Sequence, residues 1–294
     1  MPVRERLIDA RDGRHLEVFE AGTEHGPAVV VHHGTPGSGL LAPAWVDDAE
    51  RLGLRIVSFS RAGYSRSSRR AGRTVAEVVD DVEAVADALG LQRFASWGIS
   101  GGGPHVLACA ALLPERLVAA ACISGVAPYP ANGLAWMEGM GTANVEEFGL
   151  AIAGDLAKLL AGMEAGMEAT RGASLEELVR SMHSLLSTED EAAMRGAVGA
   201  FLAESMRRGL ASGPFGMLDD DLAFTSPWGF DPASIRVPTQ VWQGGEDLMV
   251  PSGHGAWLAA RIPGAEAHLD PALGHLTVVA QRITEVHRWL LKHF

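Results

Sequence analysis

Short apolar runs alternate with helix-spaced apolar positions along the first part of the chain. Arg4 to Asp9 and His15 to Glu20 flank an Asp12-Gly13 turn and read as a hairpin. The β-branched runs Ala28 to His33 and Arg55 to Ser60 are of the kind buried on both faces, and the segment between them is helix-like. Thr74-Val75-Ala76-Glu77 forms a capping-box pattern. Apolar Val75, Val78, Val79, Val82, Val85 and Leu89 follow at helical spacing, with Gly90 as the stop. Arg93 to Trp97 predicts a strand, Gly102 to Leu113 a helix and Leu117 to Ser124 another strand. This rhythm indicates an α/β domain whose mostly parallel central sheet is flanked by helices.

After Pro128 the rhythm breaks. Residues 131–228 carry only helix signals, among them the capping-box patterns Ser174-Leu175-Glu176-Glu177 and Thr188-Glu189-Asp190-Glu191. The first opens a helix with Leu175, Leu178, Val179, Met182 and Leu186 on one face. Alternation resumes with the strand Thr239 to Gly245, a helix Gly255 to Ile262, the strand Ala265 to Leu269 and a closing helix Leu276 to His293. The expected organisation is one core built from residues 1–130 and 229–294, with 131–228 as a helical insertion.

Composition narrows the function classes. With 294 residues and 47% hydrophobic content the chain can bury a sizeable core. Lys plus Arg number 24 against 36 Asp plus Glu, a net charge of −12, and no basic run interleaves with aromatics. Nucleic acid and anionic membranes are therefore excluded as expected partners. Cys109 and Cys122 lie in apolar segments without metal-type spacing and read as buried, reduced thiols. The charged N-terminal stretch is unlike a signal peptide, and the longest apolar run, Leu117 to Ala127, is too short to span a bilayer. A cytoplasmic protein is expected. Of ten methionines, eight fall within the insertion: Met137, Met140, Met163, Met167, Met182, Met194, Met206 and Met217. Methionine suits adaptable apolar surfaces, although ordinary helical core accounts for most of such positions.

Candidate chemistry begins at "WGISGGGPHV", Trp97 to Val106. A P-loop would need Lys then Ser or Thr after its last glycine, and a dinucleotide fingerprint an acidic residue about twenty positions on; neither is present. What remains is Gly98-Ile99-Ser100-Gly101-Gly102, a Gly-x-Ser-x-Gly turn between a strand and a helix. There the serine is held strained at the apex, Gly98 and Gly102 clear space, and the Gly101 N–H lies beside the hydroxyl. A serine hydroxyl needs a base. Asp247, three residues after Gly244, and His275, before the last helix, stand in the order this architecture uses. The loop "HHGTPGS" supplies His33, Gly34 and Thr35, with the Thr35 N–H as a second oxyanion donor. His268, His105 and His183 read as structural or pocket-lining residues, Glu246 is out of register with the Gly-x-x-Asp turn, and no metal-ligating spacing occurs.

Together these motifs resemble the α/β-hydrolase fold superfamily over nearly the whole chain except the insertion. His33-Gly34-Thr35-Pro36 is similar to its oxyanion loop, Gly98 to Gly102 to its nucleophile elbow, and Gly244-x-x-Asp247 and Gly274-His275 to its acid and base loops. Ser58 to Ser67 resembles its Asp-Arg-x-Gly-x-Gly-x-Ser loop, but Ser60 replaces the Asp and Ser65 a Gly. Serine at the elbow disfavours epoxide-hydrolase and haloalkane-dehalogenase chemistry, which uses Asp there. Proline iminopeptidases look similar at the oxyanion loop but differ at Thr35 and Gly101. The resemblance implies a helical cap over a Ser100, Asp247, His275 triad and an oxyanion hole at Thr35 and Gly101. It implies a small-molecule ester substrate, no cofactor and no metal. The same triad also serves amides or N-terminal peptides, C–C bonds and cofactor-free perhydrolysis, and some members of the fold are slow-turnover ligand receptors. Nothing in the pattern fixes an oligomeric state.

Overall fold

The computed structural model describes residues 2–294. Strands β1 (Arg4–Asp9) and β2 (His15–Gly22) form the expected antiparallel hairpin. In chain order there follow β3 (Ala28–His32), α1 (Pro43–Leu52), β4 (Arg55–Phe59), α2 (Val78–Ala88), β5 (Phe94–Ile99), α3 (Gly102–Leu112) and β6 (Leu117–Ile123). Six helices separate β6 from the next strand: α4 (Thr142–Ala153), α5 (Leu156–Arg171), α6 (Leu175–Ser181), α7 (Thr188–Met194), α8 (Ala197–Gly209) and α9 (Phe215–Phe224). The chain then returns through β7 (Thr239–Gly244), α10 (Ser252–Arg261), β8 (Glu266–Asp270) and α11 (His275–Leu291).

The eight strands form one sheet in the order β1-β2-β4-β3-β5-β6-β7-β8. Pairings from β4 through β8 are parallel, and β2 joins β4 antiparallel. From β3 the chain steps outward to β4 and then crosses back to β5 on the other side. The strand order therefore reverses between β3 and β5, the place where open α/β sheets gather their sites. Both β3 and β6 are buried at every position, whereas edge strands β1 and β8 are largely exposed. Two-residue periodicity divides the core. Val30, Val57, Phe94 and Val241 meet α2, α3 and α10 on one face; Val31, Ile56, Trp97 and Trp242 meet α1 and α11 on the other.

Three local expectations shift. Helix α2 begins at Val78 instead of following Thr74 directly. Thr74 Oγ1 donates to the Glu77 carboxylate instead of capping, and the Ala76 N–H is taken by the Trp228 carbonyl at 2.8 Å, so residues 74–77 form a turn tied to the end of the insertion. Ser174 does form the expected capping box with Glu177, but at α7 the cap is Ser187, whose Oγ accepts from the Asp190 N–H. Asp190 is then the third residue of α7, and its carboxylate, instead of reaching back to the cap, is used elsewhere. Finally, His275 is the first residue of α11 and not part of the preceding loop.

Cys109 and Cys122 are free and buried, as expected. No helix among the described residues is long and apolar enough to cross a membrane.

Candidate active site

Ser100 sits where β5 turns into α3, with φ 53°, a left-handed conformation that costs a non-glycine residue energy. The turn is pinned by the Ser100 N–H donating to Ile123 O (2.9 Å) and the Gly103 N–H donating to Ser100 O (2.8 Å). A Cβ on Gly98 would collide with the Gly102 carbonyl, and one on Gly102 with the His32 carbonyl, so strand and helix approach closely only because both are glycine. A Cβ on Gly101 would run into the Thr35 side chain, which places the two residues expected to donate to an oxyanion next to each other. Gly34 is equally near: its Cβ would lie 3.4 Å from Ser100 Cβ and 3.9 Å from Oγ.

Asp247 follows β7 and is buried. Its Oδ1 accepts from the backbone N–H groups of Met249 (2.9 Å) and Val250 (2.8 Å), and its Oδ2 from Gln243 Nε2 (2.8 Å). The same Oδ2 lies 2.8 Å from His275 Nδ1. A carboxylate already accepting three N–H groups can take the Nδ1–H as a fourth, which assigns the imidazole proton to Nδ1 and leaves Nε2 as a base. Burial pulls the His275 pKa down, but the Asp247 charge and hydrogen bond, together with Asp190, outweigh it and hold the imidazole above its ordinary value.

Asp190 was not among the residues picked out by sequence. Fully buried on α7, it accepts from the N–H groups of His275 (2.7 Å), Leu276 (3.0 Å) and Thr277 (3.0 Å) and from Thr277 Oγ1 (3.1 Å). It thus satisfies the orphan donors at the start of α11 and places a negative charge at the positive end of that helix. The insertion thereby holds the first turn of the helix that carries His275. A local capping pattern gave no sign of this, because the capped helix begins 85 residues later.

The β3 loop is held from behind. His33 Nδ1 lies 2.7 Å from Gly34 O, and its Nε2 accepts from the Arg61 N–H at 3.0 Å. Burial, with Arg61 nearby, lowers the His33 pKa well below the usual range, consistent with a neutral ring. The Arg61 guanidinium donates to the His33 and Gly34 carbonyls, to Thr35 Oγ1 (3.0 Å) and to Asp220 Oδ2 (2.6 Å). Thr35 Oγ1 donates to the same Asp220 oxygen at 2.6 Å, as does Tyr64 Oη at 2.7 Å. Arg73 (2.6 Å) and His105 (3.2 Å) meet Asp220 Oδ1. Burial alone would raise the Asp220 pKa, but Arg61 and Arg73 hold it well below the carboxylate range. The two departures in the Ser58 to Ser67 loop are also accommodated. Ser60 Oγ donates to the buried Glu17 carboxylate (2.8 Å) while accepting from the Gly39 N–H (3.0 Å), and Ser65 adopts φ 51° without being glycine.

Ser100, Gly101, Gly34, Thr35, His33 and His275 all line one cavity of about 390 Å³ between sheet and insertion. Asp247 lies behind His275, outside the lining, and Gly98 and Gly102 shape the turn from below. The insertion contributes Met163, Met167, Met182, Met206 and Met217 to the lining, so five of its eight methionines face the cavity. Six of the eight (Met137, Met140, Met163, Met182, Met194 and Met217) also belong to or pack against the apolar core clusters, as expected. Leu185, Leu202, Phe148 and Phe224 add to an apolar wall. Two carboxyls interrupt it, Glu147 and Asp221, and no Lys or Arg lines it. His183 is on the exterior, and His105 serves the Asp220 cluster.

Comparison with known proteins agrees with this architecture. Over 109 residues the chain is 32% identical to a probable proline iminopeptidase of Streptomyces coelicolor, covering 34% of this chain and 33% of that protein. Over 127 residues it is 32% identical to the bifunctional esterase/perhydrolase DCH of Acinetobacter calcoaceticus, covering 41% of this chain and 44% of that one. These matches span less than half the length of either relative. The crystal structure of a hydrolase from Pseudomonas aeruginosa PA01 superposes with a TM-score of 0.71 at 20% identity, covering 98% of both chains. The profile of the alpha/beta hydrolase fold matches residues 27–279, and with the sheet order and elbow described above the chain belongs to the alpha/beta hydrolase fold family.

Proposed function

We propose that this hydrolase cleaves a small to medium, largely apolar ester through an acyl-enzyme on Ser100. The observation that carries the reading is the 2.8 Å Asp247–His275 hydrogen bond, made by a histidine that shares its cavity with Ser100. In this mechanism His275 Nε2 takes the Ser100 proton as Oγ attacks the carbonyl carbon. The oxyanion forms beside the N–H groups of Gly101 and Thr35, each such donor being worth about 3 kcal/mol in the transition state. His275, now protonated and steadied by Asp247, returns the proton to the leaving alcohol. A water deprotonated by the same imidazole then frees the acid and restores Ser100. Every group the reaction needs comes from the chain, so the scheme uses no cofactor.

An apolar acyl or alkyl group suits the methionine and phenylalanine wall, because flexible thioethers adapt to substrates of different shape. The esterase name carried by one relative supports the choice of bond. The test is hydrolysis of p-nitrophenyl butyrate combined with mass-spectrometric mapping of an alkyl phosphonate adduct. Turnover that falls by roughly 10⁴-fold or more in Ser100→Ala, with the adduct on Ser100, is the expected result. Turnover that survives in Ser100→Ala, or an adduct elsewhere, overturns it.

A further inference from the structure

Glu147 on α4 and Asp221 on α9 meet in the wall of the Ser100 cavity. The two carboxyls are neighbours there, and carboxyls brought together in this way favour holding one proton between them. Asp221 is 1% exposed, and its Oδ2 has no N–H or O–H donor among the described residues. Among the described residues no Lys or Arg lines the cavity to balance the pair; the other titratable groups on its surface are His33 and His275. Burial, reinforced at Asp221 by the charges of Glu147 and neighbouring Asp220, pushes both carboxyls upward.

The pair is also placed near the reaction centre. Asp221 directly follows Asp220, which is bonded to the Thr35 side chain, and precedes by one helical turn Phe224, whose ring would lie 3.2 Å from a Cβ at Gly101. A ligand that reaches Ser100 and extends along α9 therefore meets Asp221. Solved by burial alone, this arrangement is costly: two carboxyls in an apolar wall forfeit hydration and find no counter-ion. A group that carries positive charge and several N–H donors would satisfy both. A ligand carboxylate would meet repulsion, and a neutral alkyl group would leave the acceptors unmet.

We propose that Glu147 and Asp221 form a binding site for a cationic amine at the end of an apolar substrate. The ammonium takes the place of the shared proton, which leaves to solvent, and donates to both carboxylates. This deepens the ester reading above and rests on the Ser100 cavity being the substrate site; it makes the preferred substrate an ester with an alkyl or aryl body and a protonated amine.

Binding of n-hexylamine, 1-hexanol and hexanoate to Ser100→Ala protein by isothermal titration calorimetry, in buffers of different ionisation heat, tests this without relying on turnover. Hexylammonium should bind about tenfold or more tightly than hexanol, the scale of a charge-assisted hydrogen bond, and hexanoate more weakly than either. Amine binding should release up to about one proton, and its affinity should rise with pH as the pair gives up that proton. In the Ser100→Ala background, Glu147→Gln and Asp221→Asn should each bring the amine to the level of hexanol and abolish proton release. Glu147 is the less buried of the two, so its variant keeps the test usable if Asp221→Asn fails to fold. Equal binding of amine and alcohol, no binding of either, or an amine preference that survives in Glu147→Gln overturns the proposal. If the wild-type protein shows the amine preference but no ester turnover, the ester reading fails and the amine site stands.

Discussion

Asp220 and Asp221 are neighbours on one helix, both buried, and they solve the same electrostatic problem in opposite ways. Asp220 points behind the β3 loop and meets Arg61, Arg73, Tyr64, Thr35 and His105, so its charge is balanced and its oxygens are filled. Asp221 lines the cavity beside another carboxyl, and its Oδ2 has no hydrogen-bond donor among the described residues. The first arrangement fixes a loop in one place. The second leaves capacity unused, and unused polar capacity in a cavity is what a ligand can satisfy.

The largest expected effect tests the balanced side. Asp220→Ala leaves two buried guanidiniums without their counter-ion and should destabilise the fold by about 3–5 kcal/mol in urea unfolding at pH 7. Because the folded Asp220 pKa is depressed, its contribution is present above the unfolded value of about 3.9 and disappears as pH falls through the folded one. The deficit of the variant should therefore shrink only in strong acid. A loss below about 1 kcal/mol would show that the cluster does not depend on its anion, and the contrast with Asp221 would collapse.

A smaller change is expected at Asp190, a third carboxylate donated by the insertion. Asp190→Asn keeps much of the hydrogen bonding but removes the charge at the start of α11. That charge raises the His275 pKa, so the acidic limb of kcat/KM should move to lower pH, while kcat falls by roughly tenfold with KM little changed. A purely structural role would lower stability without moving the pH profile.

The smallest effect has the opposite sign. Asp221→Asn removes a carboxyl whose folded pKa is raised, and that carboxyl weakens the wild-type fold as pH climbs from its unfolded value near 4 toward its folded one. The variant should match the wild type in acid and gain on the order of 1 kcal/mol at pH 8 by chemical denaturation. A variant less stable than the wild type at pH 8 would mean that Asp221 is satisfied after all.

Much of this molecule is legible in its sequence. The β-branched runs became β3 and β4, and the order Ser100, Asp247, His275 came with recognisable glycine spacing because elbow sterics tolerate few residue types. Ser187 and Thr188 show where reading stops. Either can cap a helix, and only the folded chain shows that Ser187 caps α7 while the Asp190 carboxylate meets the start of α11. The methionines show the same limit: three of them serve core and cavity at once, because a helix stripe facing a cavity has the same period as one facing a core.

The sequence by itself determined the alternating core, the helical middle and the elbow serine with its ordered partners. These follow from local sterics and periodicity, which act over a few residues. Only the tertiary structure decided that Asp190 would hold the His275 helix, that Asp220 would brace the β3 loop, and that Asp221 and Glu147 would meet in the cavity wall. A carboxylate carries no local pattern of its own. Its role is set by the dielectric around it and by which charges folding brings within a few ångströms.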